Sequence, residues 1–450
     1  MKKSYRPYDP NQILLLPPAL QDWLPKGHLV YFVNDTVDAL DLSAIYAEYE
    51  KELRGYPPYH PAMLVKVLFY GLCKGVFSSR RLAVAVQEDI GFRVLGAGNE
   101  PDFRTISDFR KRHLETLADM FVQVLKLCRK AGLAPMKHVA LDGTKLQANA
   151  SKHSAMSYDR LVKEEQRLTD EIKTLLKKGQ DQDESDDSEF GSDRRGDELP
   201  EELSFREGRL AKIREAKAAL EQEAQERAEA KEAERARKEA DLAPSGQKPR
   251  GPKPKPTVKE PKEKAQRNFT DPESRIMKDS NKAIVQGYNG QAAVDAEHQI
   301  IVACDLTNMA ADTPHLSPML DRVESNTGRL PDEMSADAGY FSDRNIELLE
   351  EKHIDGYVPP DRQRHGKDPT PPTCLDPKLQ SAADRQRAKL CTEEGRERYG
   401  LRKETVEPVF GQIKFARGFR QFLLRGIDKA KAEWALVCLG HNLLKLYRYG

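Results

Sequence analysis

Residues 158–242 differ in composition from the rest of this 450-residue chain, being mostly Glu, Lys, Arg, Gln and Ala. Apolar residues recur there at heptad spacing in two stretches: Leu161, Leu168 and Leu175, then Leu203, Leu210, Ile213 and Leu220. Such a pattern is typical of paired helices. It predicts an inserted helical hairpin, with a disordered acidic loop from Gln180 to about Glu201 between its arms.

The role of this charged coiled-coil insertion stays open between two interpretations. In the first, the insertion reaches over DNA or a second subunit. In the second, it is only a solvated spacer. Residues 243–280 follow as a Pro/Lys-rich linker, in which the basic stretch 248–256 is predicted to be extended and able to touch a DNA backbone.

Strand and helix signals alternate on both sides of the insertion. A strand is expected at 137–147, and two more at 291–294 and 299–304 are joined by a hairpin turn. A helix over 313–325, a short strand before Asp337, a helix over 343–352 and a strand at 356–359 complete the series. This order predicts an α/β domain formed by residues 133–157 and 281–450.

The N-terminal segment, residues 1–132, has helical periodicity and predicts an all-α domain. Its third helix is expected over 105–130, with Thr105 and Asp108 as a capping box. Basic side chains on this helix suit DNA phosphates: Arg104, Arg110, Lys111 and Arg112. For an arbitrary helix, a solvated basic face is the ordinary explanation of such residues.

Composition excludes several classes of protein. The net charge is only +1, but residues 399–450 hold ten Lys or Arg against four Asp or Glu, which favours a polyanionic partner. The six cysteines form no C-x2-C pair, which argues against a zinc site and a disulfide scaffold. No stretch approaches about 18 uninterrupted apolar residues, so we expect a soluble cytoplasmic protein with no membrane partner.

Three carboxylates stand in apolar or small-residue contexts: Asp142, Asp337 and Glu407. A single Asp at a strand end is usually a cap or turn residue. Three that converge repel one another by about 4 kcal/mol per pair at 4 Å unless a cation neutralises them. Mg²⁺ or Mn²⁺ prefers such oxygen ligands, and phosphodiester chemistry favours a pair of these ions. The predicted reaction is phosphoryl transfer on nucleic acid.

The chain resembles bacterial insertion-sequence transposases of the DDE type. Four stretches carry the resemblance: Ala140-Leu-Asp-Gly-Thr-Lys145, Gln286-Gly-Tyr-Asn-Gly-Gln-Ala-Ala293, Ala336-Asp-Ala-Gly-Tyr340, and Arg402-Lys-Glu-Thr-Val-Glu-Pro-Val-Phe-Gly-Gln-Ile-Lys414. The resemblance implies an RNase H-like mixed sheet flanked by helices. It also implies a nucleoid-associated enzyme that acts on double-stranded DNA, both terminal inverted repeats and target, as a homodimer on DNA.

The resemblance also implies roles for individual residues. Asp142, Asp337 and Glu407 become catalytic metal ligands, with Glu404 as a competing third carboxylate, and Tyr340 packs near the cleft. Because one spacing in the family pattern is a residue too long, either Arg402 or Lys403 holds phosphate. Lys414, Arg417 and Arg420 are the remaining predicted DNA contacts. Pro408 predicts that Glu407 lies at a helix cap or kink.

Two other functions remain open from the sequence. One is a non-catalytic DNA-binding remnant, and the other is an RNase H-like nuclease that cuts without joining ends. The presence of all three carboxylates argues against the remnant. Sequence alone does not separate cutting from joining.

Overall fold

The computed structural model describes residues 19–51, 57–190, 201–242, 259–279, 283–363, 368–374, 376 and 380–450. Residues 191–200 of the predicted acidic loop and the basic stretch 248–256 lie outside the described residues. The first arm of the hairpin is helical to Phe190. The prediction that its loop begins at Gln180 was therefore wrong.

Seven helices form the N-terminal part: α1 (Leu29–Asp38), α2 (Ser43–Glu50), α3 (Pro61–Lys74), α4 (Ser79–Glu88), α5 (Ile90–Gly96), α6 (Phe103–Arg112) and α7 (Leu114–Lys130). Pro61 occupies the first position of α3, where a missing N–H costs nothing. Gly75 ends the same helix in the left-handed conformation that glycine adopts without strain.

The predicted helix over 105–130 is two helices. His113 is a cap residue between α6 and α7, and it is buried. The cap of α6 is Asp102, whose Oδ1 accepts a hydrogen bond of 2.7 Å from the N–H of Thr105. The expected capping box at Thr105 was therefore misplaced by one turn.

The remaining elements follow in this order: β1 (His138–Gln147), β2 (Ala155–Ser157), α8 (Tyr158–Phe190), α9 (Glu201–Leu242), β3 (Gln266–Asn268), β4 (Arg275–Lys278), β5 (Ile284–Asp295), β6 (Ile301–Thr307), α10 (Leu316–Thr327), β7 (Glu333–Ala336), α11 (Asp343–Glu351), β8 (Asp355–Tyr357), α12 (Ala382–Cys391), α13 (Glu393–Gly411) and α14 (Ile427–Tyr449).

The central sheet is mixed. Strand β1 pairs antiparallel with β5 and parallel with β7, and β7 pairs parallel with β8. Strands β4 and β6 both pair with β5. Helix α14 packs between β6 and the N-terminal helices α3 and α7, with Trp434 fully buried. The predicted fold class, a mixed sheet flanked by helices with an N-terminal helical part, is confirmed.

The hairpin of α8 and α9 has a small core of its own. Leu161, Leu168 and Ile172 of the first helix pack against Leu210 and Ile213 of the second. Ion pairs flank this seam, including Glu165 with Arg214 and Lys217. Since exposed ion pairs contribute little, the apolar seam supplies most of the stability of the hairpin.

No single helix in the described part of the chain is long and apolar enough to span a membrane. Helices α3 and α4 pass that test only as a pair, and they are bent by 98°. Most residues of α3 are buried against the protein core.

Candidate active site

Asp142 and Asp337 lie side by side because of the register of β1 and β7. The last paired residues of these parallel strands are Leu141 and Ala336. The next residue of each chain is the aspartate, and neighbouring strands run about 4.8 Å apart. The sheet therefore places the two carboxylates at one edge without help from any loop.

Asp142 lies within β1 and not at its end. Strand β1 continues to Gln147 because it stays paired with β5 beyond the point where β7 stops. The side chain of Asp142 is only 16% exposed. Burial raises its pKa to about 7, while Arg402 opposes that change and Asp337 adds to it. Burial also raises the pKa of Asp337.

Glu407 lies within α13, which runs unbroken from Glu393 to Gly411 with Pro408 inside it. The expectation that Glu407 lies at a helix cap was wrong. Proline lacks the N–H that would bond to the carbonyl four residues earlier, which here belongs to Glu404. Gln299 supplies the missing donor, its Nε2 lying 2.8 Å from that carbonyl oxygen. The helix therefore continues past Pro408 with its backbone satisfied.

Arg402 contacts two of the three predicted carboxylates, Asp142 and Glu407. Its Nη1 lies 2.6 Å from Oδ2 of Asp142, and its Nη2 lies 3.3 Å from Oε1 of Glu407. The side chain of Arg402 is 10% exposed, whereas Lys403 and Glu404 are exposed. Of the alternatives that the sequence left open, Arg402 contacts Asp142, and Glu407, which is also exposed, is linked to Asp142 through Arg402.

A fourth carboxylate, Asp312, also belongs to this cluster. Its Oδ1 accepts hydrogen bonds from Asn289 Nδ2 at 2.6 Å and Gln291 Nε2 at 2.9 Å, and lies 3.3 Å from Lys145 Nζ. The charge of Asp312 contributes to the raised pKa of Asp142 and of Asp337. Asp312 is not among the site residues that the sequence predicts, so its place in the site was missed.

The aromatic residue predicted near the cleft, Tyr340, is fully buried beneath it. Its hydroxyl donates to Oε1 of Gln291. The Nε2 of the same glutamine donates to Oδ1 of Asp312. Burial raises the pKa of Tyr340 well above its usual value. Tyr340 therefore orients Gln291 as a neutral phenol.

A single turn of π-helix, Gln412–Ala416, follows α13. It directs Lys414 towards β1, where its Nζ donates to the carbonyl oxygen of Lys145 at 2.8 Å. Burial lowers the pKa of Lys414. Next to it, Arg420 lies over the ring of Phe415 at 4.6 Å, and that ring is 71% exposed. Wide turns of this kind often mark functional positions.

Two predicted DNA contacts are engaged inside the protein. Arg417 is 7% exposed and donates from Nη1 to the carbonyl of Val437 at 3.1 Å, between α14 and the N-terminal helices. Arg110 is half-buried, donates to the carbonyl of Phe77 at 2.9 Å and faces the buried Glu433. Both arginines therefore take part in the packing of the helical part on α14.

The other basic residues predicted on the third helix remain available. Arg104, Lys111 and Arg112 are exposed on α6. Arg104 and Arg80 flank the ring of Phe103, which is 38% exposed. This surface is separate from the carboxylate cluster in the contacts of the described residues.

The donor chemistry of the cluster fits a divalent cation, although the present side-chain arrangement does not form a finished metal site. Among the described residues, no three His, Cys, Asp or Glu side chains are grouped to hold a metal. However, Oδ1 of the buried Asn289 has no hydrogen-bond partner, and it lies beside Gly143. Arg402 supplies the positive charge between Asp142 and Glu407 that a cation would otherwise provide.

Comparison with known proteins gave two family matches. Residues 18–112 match a family described as "Transposase domain (DUF772)", and residues 367–447 match one described as "Transposase DDE domain". The second match contains Arg402, Glu407 and Lys414. No curated protein and no solved structure matched the chain.

Proposed function

We propose that this chain, which its two matched domains identify as an insertion-sequence transposase of the DDE type, cuts DNA at the ends of its element and joins the 3′-hydroxyls to target DNA. The observation that carries the proposal is the arrangement of Asp142 and Asp337. Each aspartate comes directly after the last paired residue of its strand, and the two strands are parallel neighbours. Arg402 links Asp142 to Glu407.

DDE transposases generally use divalent metal ions. In our proposal Asp142, Asp337 and Glu407 hold Mg²⁺ or Mn²⁺, two ions in the complete site. Bound ions of this kind activate an attacking oxygen and stabilise the leaving oxygen of a phosphodiester. Binding requires Arg402 to release Asp142, since one carboxylate oxygen already accepts its hydrogen bond.

The remaining side chains of the cluster position the substrate. When Arg402 releases Asp142, its guanidinium is free to hold the scissile phosphate in a bidentate manner. Lys414 is fixed against β1 by its bond to the Lys145 carbonyl, from which it can reach a neighbouring phosphate. In cleavage, water forms a new bond to phosphorus and loses a proton, while the bond from phosphorus to the 3′-oxygen breaks and that oxygen takes up a proton. In joining, the resulting 3′-hydroxyl loses its proton and forms a bond to a target phosphorus, while the bond from that phosphorus to the target's own 3′-oxygen breaks and leaves a target 3′-hydroxyl.

DNA outside the site is proposed to contact two surfaces. One is formed by Arg104, Lys111 and Arg112 on α6, and the other by Arg420 with the exposed ring of Phe415. Cations next to exposed aromatic rings suit phosphate and base contacts. Double-stranded ends and target must meet in one complex, so the active species is proposed to be a homodimer on DNA.

The test is cleavage of a labelled duplex that carries the DNA flanking the gene. Wild type and Glu407→Gln are compared with Mg²⁺, with Mn²⁺ and with EDTA. We expect metal-dependent cutting at the element boundary, lost in the variant while duplex binding is kept. Lys403→Gln is the matched control, because Lys403 is an exposed neighbour on α13.

Each alternative function has its own outcome in this experiment. Cutting without joined product after addition of target DNA would leave a nuclease. Binding without cutting under every metal condition would leave a DNA-binding remnant. Cutting that persists undiminished in Glu407→Gln would remove Glu407 from the site.

A further inference from the structure

A second cleft lies at the base of the helical hairpin, away from the carboxylates. It has a volume of about 290 Å³ and is formed where β2, the start of α8, α9 and the residue after β3 meet. Its lining comprises His153, Arg160, Arg209, Lys212, Ile213 and Phe269, together with Ser154, Ala155 and Met156. Three cationic side chains and no carboxylate therefore line the cleft.

The cations of the cleft approach it from two separate helices. Arg160 stands on α8, while Arg209 and Lys212 stand on α9. Cations that radiate from one helix are commonly a solvated face, whereas these are brought to one cavity by the packing of Leu161 against Ile213 and its neighbours. The hairpin core thus fixes the spacing of the charges.

Two of these cations form no ion pair. Neither Arg160 nor Lys212 is ion-paired with any residue in the described part of the chain, and both are exposed. Arg209 does pair with Glu164, at 3.0 Å. Glu164 is also bound by Arg167, and the more distant charge of Arg160 helps to lower its pKa. The N–H groups of Arg160 and Lys212 can therefore bind an anion from solvent.

An aromatic ring completes the cleft. Phe269 follows β3 directly, and its backbone N–H donates to the carbonyl of Ser154 at 3.0 Å. The ring is 37% exposed, although Phe normally gains from full burial. A partly exposed ring between unpaired cations is the combination that binds nucleic-acid strands, with phosphates on the cations and a base or sugar on the ring.

We infer that this cleft, which we call the hairpin-base cleft, is a DNA-binding site that takes a sugar–phosphate backbone on Arg160 and Lys212 and packs a nucleoside on Phe269. The inference rests on the proposed function for the identity of the polyanion. If the inference holds, the charged insertion anchors DNA at a point separate from the carboxylate cluster.

The first test measures how binding depends on salt. The probe is a fluorescent duplex that carries the flanking DNA, and the protein is the full chain. Each phosphate contact contributes about 0.9 to the slope of log K against log salt. Arg160→Ala with Lys212→Ala is therefore expected to reduce the slope by about two. Lys173→Ala with Lys177→Ala is the matched control, since both are exposed on α8, roughly 20 Å further along its axis.

The second test concerns the ring. Phe269→Ala is expected to weaken binding about tenfold, the magnitude of one lost stacking contact, and to leave the salt slope unchanged. Iodouracil-substituted duplex and single strand are irradiated with wild-type protein, and the crosslinked peptide is identified by mass spectrometry. Thermal unfolding of every variant reports whether the hairpin is intact.

The results separate this inference from the proposed function. DNA binding at the hairpin-base cleft would be refuted if the Arg160 and Lys212 variant had an unchanged salt slope and Phe269 gave no crosslink. In that case, metal-dependent cutting by wild type would still support the proposed transposase function. Conversely, a reduced slope and a crosslink at Phe269 would support the cleft even if wild type cut no DNA.

Discussion

Nη1 of Arg402 lies 2.6 Å from Oδ2 of Asp142, and both side chains are largely buried. This contact offsets negative charge, because Asp337 and Asp312 also lie near Asp142. The same guanidinium reaches Glu407 on its other side. Arg402 therefore links two carboxylates, one on β1 and one on α13.

Replacement of Arg402 should make the fold depend on metal. Loss of one partner from a buried ion pair costs roughly 3–5 kcal/mol, so Arg402→Ala is expected to unfold at lower temperature in EDTA. Mg²⁺ should raise the melting temperature of the variant more than that of wild type. Thermal unfolding with and without Mg²⁺ measures both effects, with Lys403→Ala as the exposed control. An equal response of variant and wild type to Mg²⁺ would contradict this role.

The metal requirement should depend on pH. The pKa of Asp142 is raised to about 7 by burial, and a metal competes with the proton for this carboxylate. Below about pH 7, the Mg²⁺ concentration for half-maximal cleavage should rise about tenfold per pH unit. Above that pH it should level off. A titration of cleavage against Mg²⁺ across this range checks the prediction, and a flat requirement would argue that Asp142 is already ionised.

Gly143 should not tolerate a side chain. A Cβ there would lie 2.6 Å from Gln291 Nε2, 2.7 Å from Asp312 Oδ1 and 2.8 Å from Asn289 Oδ1. Gly143→Ala is expected to displace these groups, reducing both stability and cleavage. Gly208→Ala is the control, because that helical position has open space and alanine there should stabilise by about 0.5–1 kcal/mol. Equal melting temperatures for the two variants would count against the close approach.

Glu433 should make stability fall with rising pH. Burial raises its pKa to about 7 from an ordinary 4.5, so the folded state retains a proton that the unfolded state releases between these values. The wild-type free energy of unfolding should drop by roughly 3 kcal/mol across that range. Glu433→Gln removes this loss and still offers an oxygen to the N–H groups of Leu423 and Leu424. Urea unfolding at several pH values, with exposed Glu404→Gln as the control, tests this.

The parts of the site that the sequence predicts are those set by local pattern. Alternation in β1 and the short strand before Asp337 are visible in the residues, and the parallel register then brings Asp142 and Asp337 together. The fold class follows from the same alternation of strands and helices. These features depend on neighbours along the chain or on one pairing.

The features that the sequence missed depend on distant partners. Asp312 has no sequence signal of its own, because Asn289 and Gln291 of β5 hold it in the site. Pro408 predicts a helix cap at Glu407 because the donor that satisfies the Glu404 carbonyl, Gln299, comes from a distant part of the chain. Arg110 resembles a surface cation because Glu433, which its side chain faces, comes 323 residues later. Arg417 resembles one because the sequence does not reveal that α14 packs on the N-terminal helices and encloses it.

The hairpin insertion also delays the pairing of β1 during synthesis. Glu407 is the 265th residue after Asp142, and at about 5–20 residues per second a ribosome needs roughly 13–53 s to make this stretch. Strand β1 has no β5 with which to pair until the insertion and the following linker have been made. A chain that ends in that part of the sequence leaves the edges of β1 unpaired and lacks Asp337 and Glu407. Such a chain is prone to aggregate, because unpaired strand edges pair with other chains.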